Sequence, residues 1–425
     1  LNSFPTLRSS DLGHRHSRRM INWQRNLFMV WLSQFFSIFG FSVAMPFLPF
    51  YIQDLGVQTP AQVKFWVALV TAAGPLTMAI FAPIWGVLAD RYGRRLMMLR
   101  ASFGGAVCLA LMGLVPNVQW LLALRFLQGM LTGTVSAAQT LVSVHTPNNR
   151  TGLALGVLSS AVFTGNMVGN VVGGLLAEVY GYRVVFYVAG VVLLLSTGLV
   201  LYGVREEFVR RPPRNRRRSF KVGVGRVSAA WSILVLMGFM AFSRQFDQAM
   251  FPLFVQDVKG TLKGAALWTG SLHAIGSVAA LLSGILLGWL ADRVPPSTIG
   301  KYSALVAGVL MVPHALATGF LHLSLVRFAI LFCAGGLDPV FQIWLARATP
   351  EKNRGILFGW ALTFKSVGWT LAPLVSGAAA SLFGLRSVFF LGSAFFLLLI
   401  PMITFVVRQM GTARRPAAVQ RAERG

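Results

Sequence analysis

Of the twelve acidic residues in this 425-residue chain, only Asp247 and Asp338 fall well inside long apolar runs. An ionisable group in hydrocarbon costs about 3 kcal/mol even on lenient insertion scales, so it faces a cavity or a partner and marks function. A carboxylate placed there can take up and release a proton, and these two are the candidate proton carriers. Arg244 stands three residues before Asp247, on the same face of a continuous helix. Such a pair reads either as a proton exchanger or as a permanent intramembrane salt bridge, depending on how burial balances against charge. Asp338 lies in Gly335-Gly336-Leu337-Asp338-Pro339. Glycines and proline loosen a helix and free backbone groups, which suits a cavity-lining acid or the cap of a broken helix. Three embedded cations complete the set: Arg125 in Arg125-Phe126-Leu127-Gln128-Gly129, Arg327, and Lys365. Lys365 is about 15 Å from the start of its run at 1.5 Å per residue, deep for a snorkelling lysine. A positive cavity of this kind suits anionic cargo.

These groups need a membrane scaffold to hold them. The chain is 55% hydrophobic and 12% charged, which excludes a soluble single-core protein and fits a polytopic helical membrane protein. Its net charge of +26 raises the question of nucleic acid. The basic residues, however, cluster at the ends and in short loops between apolar runs, the pattern of the positive-inside rule, so no nucleic-acid partner is expected. Cys108 and Cys333 sit within apolar runs and indicate neither a disulfide framework nor a metal site. No nucleophile motif, metal cluster or phosphate loop supports an enzyme, and no catalytic residue or cofactor is expected.

Twelve spans are expected, near 27–51, 63–89, 96–115, 118–142, 152–177, 184–204, 230–255, 267–290, 301–320, 322–346, 355–382 and 387–407. They divide the chain into an N-terminal six-helix bundle (21–204), a basic linker (205–229), a C-terminal six-helix bundle (230–407) and a basic tail (408–425) expected to be disordered. The linker carries seven cations around Pro212-Pro213 and is expected to lie on anionic lipid headgroups. Residues 1–20 read as a non-native or disordered extension, with Met20 the expected start. An internal repeat supports the division. Pro49 to Asp54 recurs as Pro252 to Asp257 (257 − 54 = 203), Arg125 as Arg327 (327 − 125 = 202), and Gly181 as Gly384 (384 − 181 = 203). Repeats in register across a half-chain indicate duplicated halves with a path between them. Cation placement puts both termini in the cytoplasm.

The stretch from Gly86 to Leu99 joins the second and third spans by a very short charged loop containing Asp90, Arg91, Arg94 and Arg95. Gly86 and Gly93 suit close approach and a sharp turn. Asp90, at a helix C-terminus, needs a cation or another helix's N-terminus to face it. Asp292-Arg293 repeats the hinge in the second half. The fifth span carries Gly165-Asn166-x-x-Gly169-Asn170-x-x-Gly173-Gly174, small residues that let helices approach closely.

The ordered set Gly-x-x-x-Asp-Arg-x-Gly-Arg-Arg resembles the loop signature of the major facilitator superfamily. Together with Met45-Pro46-Phe47-Leu48-Pro49 and the Arg125 motif, the chain resembles the superfamily's twelve-helix bacterial drug/proton antiporters. The resemblance implies an all-α membrane protein of two pseudo-symmetric six-helix bundles that rock about a midplane site. It implies proton-driven efflux of amphipathic or anionic toxic small molecules, with the proton gradient as energy source, from a monomer in the bacterial inner membrane. Arg125 and Gln128 match the fourth-helix motif that the family associates with proton coupling. The fifth-span glycines resemble the antiporter motif, with Asn170 where the family has proline; the repeat position is Pro373 (373 − 170 = 203). Asp90 is expected to latch the cytoplasmic side through neighbouring arginines or the N-terminus of the eleventh helix. A sugar or metabolite porter of the same fold is the alternative reading, and a non-transporting membrane sensor a third.

Overall fold

The computed structural model describes residues 22–147, 150–206, 228–349 and 354–422; the side chains of Asp90, 228–230, 354–356 and 411–422 are not described. The extension over 1–20 and linker residues 207–227 therefore lie outside the described residues.

The described chain folds into helical rods that alternate in direction. In the first half these are α1 (Trp23–Ala44) continued by α2 (Leu48–Asp54), α3 (Pro60–Tyr92), α4 (Arg94–Met112), α5 (Val118–Leu131) continued by α6 (Thr134–His145), α7 (Thr151–Tyr180) and α8 (Tyr182–Gly203). The second half repeats the plan with α9 (Ser228–Gln245) continued by α10 (Phe251–Lys259), α11 (Ala265–Ala291), α12 (Pro296–Ala315), α13 (Phe320–Ala334) continued by α14 (Leu337–Ala348), α15 (Arg354–Phe383) and α16 (Leu385–Ala422). Ten of the twelve rods are long and apolar enough to cross a membrane. The remaining two, Ser228–Lys259 and Pro296–Ala315, carry Arg244, Asp247, Lys301 and His314.

Local chemistry sets the ends. Asn22 and Asn117 cap α1 and α5 by accepting backbone N–H groups, and Pro60 and Pro296 open α3 and α12 where their missing N–H costs nothing. Gly93, between α3 and α4, takes φ 97°, which side chains rarely adopt. α16 runs on to Ala422, past the point where a disordered tail is expected; alanine, arginine and glutamine favour helix there.

Four rods are broken, and they are the first, fourth, seventh and tenth, one in every three. Pro46 interrupts the first, Gly133 at φ 125° the fourth, a turn over 246–250 the seventh, and Gly335-Gly336 the tenth. Interrupted helices place backbone and polar groups at membrane depth only where they line protein or a cavity.

The halves meet along two seams, α7 against α11 and α3 against α15. At the face away from the termini these seams are shut. A Cβ on Gly174 would lie 3.0 Å from the Ala266 carbonyl, Gln53 and Gln256 exchange amide hydrogen bonds at 3.0 and 3.3 Å, and the Lys64 ammonium donates to the Ala380 carbonyl at 2.9 Å. At the termini face, Cβ atoms on Gly86, Gly152, Gly156, Gly288 and Gly359 would meet nothing within 4 Å. Among the described residues, the hydrogen bonds that join the two halves gather at the face away from the termini. Large apolar side chains such as Phe383 and Leu382, three-quarters exposed, form its outer surface, as a lipid-facing surface requires.

Candidate functional site

Three clusters of charge lie inside the bundle. The deepest joins Asp247 to Arg327: the Arg327 guanidinium donates to the Asp247 carboxylate, and the side chains are 2% and 1% exposed. This corrects the expectation that Arg244 pairs with Asp247. α9 ends at Gln245, and the turn that follows carries Asp247 away from the helix face that Arg244 occupies. The Asp247 carbonyl restarts the rod by accepting Phe251 N–H at 2.8 Å. Phe251 in turn lies 4.2 Å beneath the Arg327 guanidinium carbon, a cation–π contact that adds to the ion pair.

The second cluster is built on Asp338, in the first turn of α14 just past the Gly335-Gly336 break. Its carboxylate lies 2.8 Å from the Lys365 ammonium of α15 and accepts from Gln342 at 2.9 Å. Lys365 is 13% exposed and Asp338 27%, so this pair is reachable where Asp247 is not. Asp338 is also the acid whose charge acts on Arg244, whose Nε is buried without a protein partner. Lys365 is thus held at depth by an acid.

The third cluster surrounds Arg125 in the first half. Arg125 Nε donates to the Val70 carbonyl at 3.1 Å, one terminal nitrogen lies 3.0 Å from the Met45 sulfur, and the same nitrogen donates to the Gln128 side-chain oxygen. No carboxylate pairs with Arg125 among the described residues. α5 comes this close to α3 because Gly129 packs on the Gly74 carbonyl, where any Cβ would collide.

The hinges differ from each other. The Asp90 side chain is not described, so the expected Asp90 latch lies outside the described residues. The carboxylate that the structure places at the first hinge is Glu206, at the end of the sixth rod. It accepts the backbone N–H groups of Arg94 and Arg95 at 2.9 and 2.8 Å, capping the N-terminus of α4. Arg95 binds the Leu201 carbonyl, and Arg91 lies over Tyr92. In the second hinge, Asp292 pairs with Arg347 at 3.4 Å on the surface and Arg293 lies over Trp289.

The fifth-span glycines divide between two partners. Gly165, Gly169 and Gly173 sit against the α1 backbone, Gly174 against Ala266 and Leu267 of α11, and the Asn170 carbonyl against Gly270. Pro373 lies within α15, where Ser376 donates to its carbonyl at 3.1 Å. Inspection of acids and fixed cations along the sequence sets Glu206 aside as an ordinary loop acid and does not reach Gln342, His273 or His314. A search of apolar runs for histidines, and of the position four residues beyond Asp338, finds all but Glu206.

Duplicated helical halves around buried, paired charges, with one broken rod in every three, define the polytopic secondary transporters. The chain belongs to the Major Facilitator Superfamily, whose family model matches residues 30–332 and 303–424. It is 35% identical over 373 residues to the multidrug resistance protein MdtG of Rahnella sp. (strain Y9602), covering 87% of this chain and 90% of that protein. To MdtG of Escherichia coli (strain K12 / DH10B) it is 34% identical over 371 residues, covering 87% and 91%. Among solved structures, the nucleoside transporter NupG superposes with a TM-score of 0.76 at 11% identity, over 89% of this chain and 99% of that one. The human organic anion transporter MFSD10 gives 0.68 at 16% identity, over 90% and 99%. These two likenesses show the fold.

Proposed function

We propose that the protein is a proton-driven exporter of lipophilic and amphipathic toxic compounds, working as a monomer in a bacterial inner membrane with both termini in the cytoplasm. The Asp247–Arg327 pair carries the reading. A carboxylate held by one buried guanidinium has two states: ionised and paired, or protonated and released from its partner. Exchange between them gives the bundle two arrangements for the proton to select between. The relatives named for multidrug resistance support the cargo class, and the hydrogen bonds that close the halves together at the face away from the termini support alternating access. No cofactor is needed, because the proton gradient supplies the energy.

In this reading the described state is open to the cytoplasm. Cargo enters between the halves and meets the Asp338–Lys365 pair, which offers one charge of each sign. Arg244 leaves the net charge there positive, which favours anionic or neutral amphipathic cargo. Protonation of Asp247 from the outer side then resets the open face after release.

The test is efflux of a fluorescent lipophilic dye from energised cells, with and without a protonophore, for the native chain and Asp247→Asn. Protonophore-sensitive efflux that the variant loses is the expected outcome. Efflux indifferent to the protonophore overturns the coupling. If a dye panel stays put while labelled sugars exchange, the cargo is a metabolite.

A further inference from the structure

Two histidines lie inside the second half, and neither the proposed cargo site nor the gate uses them. His314, the penultimate residue of α12, is fully buried, and both its ring nitrogens lack a protein partner. His273, on α11, has a buried Nε2 that is also unpartnered. Arg327, which gives one nitrogen to Asp247, leaves Nε and its second terminal nitrogen unpaired. Five buried polar atoms on three residues are therefore satisfied by no protein group. Buried polar groups in folded proteins are almost always satisfied, so such a concentration points to a site rather than to packing.

The three residues share one centre, the Phe251 ring. His273 stands 5.3 Å from it, His314 5.7 Å, and the Arg327 guanidinium 4.2 Å. The Asp247 carboxylate pairs with Arg327, which places it at the same centre. The remaining walls are apolar: Phe254 of α10 and Phe389 of α16 pack on His314 at 6.1 and 4.8 Å. The charged or titratable groups acting on His314 are Arg327 and His322, and on His273 Arg327. His322 is half-buried in the first turn of α13, at the face where the seams are shut. His322 thus stands at that face, and His314, His273 and the Arg327–Asp247 pair gather around Phe251 beneath it.

A neutral imidazole has one nitrogen that donates and one that accepts. It can take a proton on one side and release one from the other, which makes it a relay. We propose that His314 and His273, with bridging water, form a buried proton-transfer site that connects the outer face to Asp247. The proposal rests on the proton-coupled reading and extends it to the route. A proton entering past His322 forms an N–H bond on the accepting nitrogen of His314. The opposite N–H bond breaks, and that proton forms the O–H bond on Asp247, which parts from Arg327.

The full-length protein in phosphatidylethanolamine/phosphatidylglycerol vesicles tests this without any cargo. The outside is stepped to acid pH, and the infrared band of a protonated carboxyl is followed in time, assigned to Asp247 by its loss in Asp247→Asn. His314→Phe keeps the aromatic packing and His314→Asn keeps a donor and an acceptor, yet neither can relay a proton. Both are expected to slow the band's rise by about a hundredfold, and His273→Phe to slow it measurably. An unchanged rate in both His314 variants overturns the relay and leaves coupling at Asp247 standing. A native protein with no band sensitive to Asp247→Asn overturns both.

Discussion

Arg125 and Arg327 occupy matching places in the two halves, 202 residues apart (327 − 125), and their surroundings differ in one decisive group. Arg327 meets the carboxylate of Asp247, in the turn that breaks its rod; Arg125 meets Met45, at the break of the first rod, whose sulfur lies 3.0 Å away. Both cations are buried, at 8% and 1% exposure, and both lie at the first kink of their half. One is held by carbonyl, amide and thioether, which cannot titrate, and the other pairs one nitrogen with an acid, which can. Duplication therefore supplied two positive centres, and of these only Arg327 has a carboxylate partner among the described residues.

The largest effect expected from this contrast is at Asp247. Asp247→Asn strands the Arg327 charge without an anion, and breaking a buried pair from one side costs about 3–5 kcal/mol. Thermal unfolding in detergent should show a clear loss of stability, and Asp247→Asn with Arg327→Gln should recover most of it without recovering proton-driven efflux. If the single variant is as stable as the native chain, the two arginines are energetically alike and the contrast breaks.

Arg125→Gln comes next. It removes neutral hydrogen bonds rather than an ion pair, so a loss of about 1–3 kcal/mol is expected, with the midpoint of the pH–transport curve where it was. Met45→Asp sharpens the comparison from the other side: it should place an acid on Arg125 and add a second proton-dependent step to the curve. A pH profile moved by Arg125→Gln alone would mean that the first half also carries coupling.

Much of this was legible in the sequence, and the parts that were not share a cause. The twelve rods, the duplicated halves and the short hinge follow from run length and glycine placement; the expected 152–177 and 355–382 became Thr151–Tyr180 and Arg354–Phe383. The ninth rod begins five residues earlier than expected, at Pro296, because Ser-Thr-Ile-Gly after a double proline reads as loop. Of the seven central candidates Arg125, Gln128, Asp247 and Arg327 are buried and Arg244, Asp338 and Lys365 partly exposed, but the partners were not readable. Asp247 and Arg327 are 80 residues apart, and whether an i, i+3 neighbour or a distant helix claims a carboxylate depends on where a helix breaks. Span length does not reveal a five-residue turn inside a rod. Glu206 escaped because it sits in a loop, where acids are ordinary, and only the fold brings the α4 N-terminus beneath it.

The smaller effects separate depth from likeness. Asp338→Asn loosens a pair that is 27% exposed on the acid side, so stability should fall by about 1 kcal/mol or less. Transport should nonetheless change its preference: dyes bearing a negative charge should gain on neutral ones, because Lys365 and Arg244 lose their counter-charge. Equal rates for both dye classes would place Asp338 outside the cargo path.

The two hinges give the finest contrast. In sequence they look alike, yet Glu206 at the first is 6% exposed and holds two backbone N–H groups of α4, while Asp292 at the second is 78% exposed and reaches only Arg347. A carboxylate on a helix N-terminus is a local lock, and an exposed ion pair is mostly solvated. Glu206→Gln should therefore cost about 1 kcal/mol by the loss of a charged cap, and efflux should fall with it because α4 is freed from the end of α8. Asp292→Asn should cost about 0.5 kcal/mol or less, with efflux near the native rate. The reverse order, a silent Glu206→Gln beside an inactive Asp292→Asn, would move the gate to the second half and join it to the same bundle that answers the proton.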